Sequence, residues 1–157
     1  SKYNCIKELF NTYYNNLINL YSDIQICNTI NFDEVDKCNK NNEKLKSIIL
    51  FIINYNINNN AGIDYLLECI LKYQEVLFTN ISIEYKKIFC EELTEILLFF
   101  IKNIYSLNSN NNINDNINNI TIINNIIKLT TLNIKDYKSL SYKIIIKHKN
   151  LLDIIKN

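Results

Sequence analysis

The chain has 157 residues, the length of one ordinary domain, with a net charge of +1. It holds 30 asparagines and 31 isoleucines, a single glycine, and no proline, methionine, tryptophan or arginine. One glycine excludes the P-loop and the dinucleotide fingerprint, which need several for close backbone approach to phosphate, and the balanced charge excludes global steering toward nucleic acid or membrane.

From the N-terminus, Tyr3, Ile6, Phe10, Tyr13, Leu17, Leu20, Ile24 and Cys27 recur at alternating steps of three and four. That spacing predicts one helical stripe over residues 3–27, widened by Leu9, Ile18 and Tyr21. Asn31 followed by Glu34 has capping-box spacing and predicts the start of a second helix. Val35, Cys38, Leu45, Ile49 and Ile52 continue it, with a break expected in the polar run 38–44. Residues 55–62 read as a linker in which Gly62 is free to take a positive φ. Ile63, Leu66, Leu67, Ile70, Leu71, Leu77 and Phe78 predict a helix over 63–78. Ser82 then caps a fourth helix over 83–106, built on Tyr85, Ile88, Phe89, Leu93, Ile96, Leu97, Phe100, Ile101 and Ile104. Leu98 and Phe99 fall off its stripe, so its second half is apolar nearly all round.

Residues 108–119 read as a low-complexity Asn-rich loop with nothing to bury. Two more helices follow, over 122–132 and from Tyr137 through Leu140, Ile144, Leu151 and Ile155. Helical spacing outweighs alternation throughout, and no glycine or proline turns punctuate strands. The expected fold is all-α: one domain over 1–157, a compact bundle of five to seven helices around the apolar hairpin 63–78 and 83–106. The Asn and Ile excess follows codons made of A and T, so it reads as the mark of an A+T-rich genome and not of function.

Chemistry-bearing residues are sparse. His148 is the only histidine and reads as a helix-edge imidazole between Ile144 and Leu151. Glu84, Glu91 and Glu95 fall on the polar side of the fourth helix, as a solvated face. Five cysteines (Cys5, Cys27, Cys38, Cys69 and Cys90) lack C-x-x-C spacing, and with one histidine they do not build a zinc site. They read as buried, reduced thiols of an intracellular protein, cytoplasmic or nuclear, with Cys27 and Cys38 at core-facing positions. The first residues show no signal-peptide pattern, and no apolar run reaches the length of a membrane span. Six lysines over residues 134–157 against Asp136 and Asp153 read as a solvated face. Without arginine the chain lacks the bidentate fork that reads guanine and phosphate, so nucleic acid is not an expected partner.

These residues supply no catalytic, cofactor or metal set. The expected function is a non-enzymatic helical protein-interaction or scaffold module, able to form part of a larger assembly. Tyr14, Tyr73 and Tyr142 fall off the core stripes and, with Phe99, are the candidate anchors for a protein partner or partner helix. Tyr3, Tyr13, Tyr85 and Tyr137 fall on core stripes.

Two resemblances bear on this reading. Residues 63–106, two apolar helices joined by a short turn at Thr79 to Ser82, resemble a unit of a HEAT or armadillo-type solenoid. Asn60-Ala61-Gly62-Ile63 opens an apolar hairpin as the Asn-Trp-Gly-Arg motif of the Bcl-2-like fold does. Asn60 and Gly62 match that motif, while Ala61 and Ile63 stand where it has Trp and Arg. The chain is similar there to the Bcl-2-like family, including its divergent viral members, over roughly a third of its length. That resemblance implies a modulator holding an amphipathic helix in a groove, although the Arg that would touch a death-motif helix is absent.

Overall fold

The computed structural model describes residues 1–107 and 117–156. Among them it contains six α-helices: α1 (Lys2–Asn16), α2 (Phe32–Asn58), α3 (Asp64–Asn80), α4 (Lys87–Leu107), α5 (Ile117–Thr130) and α6 (Tyr142–Lys156). A 3-10 helix spans Leu17–Asp23 and a shorter one Ile134–Asp136, with no strand among the described residues.

The first helix is shorter than its stripe suggests. Ser1 Oγ caps Asn4 N at 3.4 Å, and the α-helix stops at Asn16, whose side-chain amide donates to Thr12 O at 3.0 Å. The chain then tightens into the 3-10 helix, where residues three apart eclipse and Leu17 and Leu20 turn to the same buried side. The structure also moves Tyr3, Ile6 and Leu9 off the expected core: they are exposed, while the later part of α1 packs on α2, on the 3-10 helix and, through Tyr14, on Tyr65 of α3.

Asn31 caps α2 as its spacing predicts, its Oδ1 accepting from Asp33 N at 3.0 Å and Glu34 N at 3.3 Å. The expected break at 38–44 does not occur. Two of the polar residues there, Asn41 and Asn42, bond the backbone of Asp23 and Gln25, and the others in the run are mostly in solvent. Asn42 is buried, with its Oδ1 accepting from Gln25 N and its Nδ2 donating to Gln25 O, each at 3.1 Å. Asn42 Nδ2 also donates to Glu92 Oε2 at 3.0 Å, which ties α2 to α4. The helix runs on through the expected linker to Asn58. Asn60, not Gly62, takes the left-handed turn with φ 52°, and Ala61 N donates back to Asn56 O at 2.9 Å.

The start of α4 is set from far away in sequence. Ser82 does not cap it; residues 81–86 form a turn with Tyr85 at φ 64° and its ring in solvent. Buried Ser139 fills the role, its Oγ accepting from Lys86 N at 2.9 Å and donating to Ile83 O. Ser139 N donates to Ile81 O at 2.8 Å. Helix α5 begins at Ile117, so residues 117–119 of the expected loop are helical, and buried Asn119 accepts from Tyr105 Oη on α4. The remainder of that loop, 108–116, lies outside the described residues. Helix α6 starts at Tyr142, not Tyr137, with Ser141 Oγ accepting from Ile144 N at 3.4 Å.

Helices α3, α4, α6 and α5 pack in a closed ring. The 3-10 helix, α3, α4 and α2 close a second ring, and the α3–α4 hairpin is the edge the two share. The hairpin is therefore the centre of the core, as expected: Leu66, Leu67, Ile70 and Tyr73 meet Leu93, Leu97, Phe100 and Ile101, all without solvent exposure. Gln74 on α3 extends the seam, donating to Ile122 O at 3.1 Å and accepting from Asn125 Nδ2 at 2.9 Å on α5. In a solenoid each unit meets only its neighbours in sequence. Here α2 and α6 both pack on α4, so the hairpin is enclosed and the solenoid likeness does not extend to the arrangement.

Candidate functional site

The four candidate anchors do not converge. Tyr73 is core: it is fully buried, its hydroxyl donates to Leu17 O at 2.5 Å, and its ring meets Phe100 edge-on at 5.8 Å. Its place off the α3 stripe reflects a second buried face, turned toward the 3-10 helix, and not a surface. Tyr14 is half-buried between Phe10 (5.0 Å) and Tyr65 (4.4 Å). Burial first, and then the nearby Cys69, raise its phenol above the ordinary range. Tyr142 is 73 % exposed at the first residue of α6.

Phe99 is the one that opens onto a concave surface. It is half-buried on α4, in a groove of about 260 Å³ between α2, α4 and α6. Leu98 and Phe99 from α4, with Leu151 and Ile154 from α6, make the apolar lining. The helices position these side chains through their spacing. Residues 98 and 99 sit beside the α4 core stripe of Leu93, Leu97 and Phe100, while Ile154 lies one turn beyond Leu151 on the flank of α6.

The rim is cationic. Lys46, Lys102 and Lys147 stand against Glu95 in the lining and Glu43 beside Lys46, a local net charge of +1. Lys147 pairs with Glu95, and Lys46 pairs with Glu43 at 3.0 Å while lying 6.0 Å from the Phe99 ring centroid. Lys102 is exposed. Tyr142 lies twelve residues before Ile154, about 18 Å along α6, and does not line this groove. The α1 face of Tyr3, Ile6 and Leu9 is also apolar and exposed, but it is one side of one helix and has no rim.

His148 is not a helix-edge imidazole: it is only 2 % exposed, with Nδ1 donating to Ile144 O at 2.8 Å. Burial lowers its pKa to about 4, so it is neutral at physiological pH. Cys69 and Cys90 are buried, and desolvation pushes each thiol up to about 12, far from a nucleophilic thiolate. Of the candidate carboxylates, Glu84 pairs with Lys138 at 2.6 Å, Glu95 pairs with Lys147, and Glu91 is half-buried; their neighbour Glu92 accepts from Asn42. Among the described residues no three His, Cys, Asp or Glu side chains gather as a metal site, and no helix is long and apolar enough to cross a membrane.

No known family model matches the chain, and no curated protein or solved structure is similar to it. Sequence spacing pointed to Phe99 but missed its surroundings. Lys46 and Lys147 come from helices far from Phe99 in sequence, and only the packing of α2 and α6 on α4 makes them a rim.

Proposed function

We propose that this protein is a non-enzymatic interaction module whose α2/α4/α6 groove receives an acidic amphipathic helix from a protein partner. The observation that carries the reading is the half-exposed Leu98–Phe99 pair on a central helix of the fold, bordered by three lysines and one glutamate. An apolar floor with a positive rim complements a helix whose apolar stripe is flanked by Asp or Glu. The rim lysines are partly exposed, so they favour encounter and register, while the apolar contacts supply most of the affinity.

A narrower form of the same reading is a Bcl-2-like modulator that takes a death-motif helix. The motif-like residues Asn60 to Ile63 connect α2 to α3 and do not line the groove, which favours the broader form. Titration with a panel of helical peptides separates the two. The expected result is binding that follows acidic amphipathic character and weakens as salt is raised. Binding confined to death-motif peptides would select the narrower form. Indifference to every helical peptide would remove both.

A further inference from the structure

Residues 24–31, between the 3-10 helix and α2, have no regular secondary structure. The start of this link is tied to α2 by Asn42 through Gln25, and its end by the Asn31 cap. Cys27 lies between those ties. A cleft of about 640 Å³ is lined by Cys27 and Thr29 of the link and by Glu34, Lys37 and Cys38 of α2. Both thiols are half-buried there, unlike exposed Cys5 and buried Cys69 and Cys90. Cys27 Sγ lies 3.9 Å from Thr29 O, and it shares the wall of this one cleft with Cys38. Partial burial, and then Cys27, raise the pKa of Cys38.

We propose that Cys27 and Cys38 form a redox pair, whose oxidation closes a disulfide that staples the link onto the second turn of α2. With a small-molecule disulfide such as oxidised glutathione, Cys27 Sγ attacks one sulfur and releases one thiol. Cys38 Sγ then attacks the mixed disulfide at the Cys27 sulfur and displaces the second thiol. Two electrons and two protons pass from the pair to the reagent, which leaves as two thiols. The bridge closes a loop of about a dozen residues and restricts the unfolded chain.

The test is to incubate the folded full chain with oxidised glutathione, block free thiols, and map the products by peptide mass spectrometry. The expected product is a peptide linking Cys27 to Cys38, about 2 Da lighter than its reduced parts, lost in Cys38→Ser, and not the preferred product when the chain is oxidised in denaturant. The same oxidation is expected to raise the melting midpoint by about 5–10 °C. Glutathione adducts held separately on Cys27 and Cys38, modification of Cys5 alone, or a bridge that leaves the midpoint unchanged would each overturn the proposal.

Discussion

Neighbouring residues on α4 carry opposite duties. Phe100 is fully buried against Tyr73, whereas Phe99, one position earlier, faces the groove. Phe100→Ala is expected to cost about 3–5 kcal/mol of stability, the usual loss for a buried phenylalanine. Phe99→Lys is expected to cost only about 1 kcal/mol, since the lysine stem can lie along the groove with its charge in water. Urea unfolding of the two variants measures the contrast directly, and equal losses would place Phe99 in the core. His148 gives a second prediction at this scale. Its folded pKa of about 4 lies below the ordinary 6.5, so the unfolded chain takes up the proton first as pH falls. The stability that neutral His148 lends is full above pH 6.5 and is lost between 6.5 and 4, roughly 3 kcal/mol in total. The urea midpoint should fall across that window, and His148→Gln should flatten the slope between pH 6.5 and 5, above the range where most carboxylates titrate.

Helix ends show what a sequence reveals and what it hides. Asn31 was legible because its cap partners, the Asp33 and Glu34 amides, are two and three residues away. Ser82 sat in an equally plausible local position, yet Ser139 holds the Lys86 amide from 53 residues away. No local pattern encodes a partner that distant. The same limit explains the unbroken α2: the run 38–44 looks like an interruption until Gln25 is seen receiving Asn42. The hairpin of α3 and α4 was readable, because its apolar stripes are long and regular. The partial exposure of Phe99 beside it was not, since exposure depends on which helices arrive. Ser139→Ala is expected to lower stability by about 1–3 kcal/mol by leaving Lys86 N and Ile83 O without their partner. Ser82→Ala, at an exposed turn, should stay within about 0.5 kcal/mol of the parent. The reverse ranking in thermal or urea unfolding would restore Ser82 as the cap.

At the scale of the molecule, two rings of packed elements share the α3–α4 edge, so α4 meets α2, α3 and α6 at once. Between two of those neighbours, α2 and α6, its surface stays open at the groove. The groove is thus a consequence of the packing: the apolar second half of α4, open between α2 and α6, keeps Leu98 and Phe99 partly in solvent beside a lysine rim. The most direct measurement is an amide chemical-shift titration of the labelled protein with a single acidic amphipathic peptide. The predicted result is a set of saturable shifts centred on Leu98, Phe99, Lys102, Lys147 and Ile154, abolished in Phe99→Lys while the remaining spectrum is preserved. Shifts gathered instead on Tyr3, Ile6 and Leu9 of α1, or saturable binding unaltered in Phe99→Lys, would contradict the account.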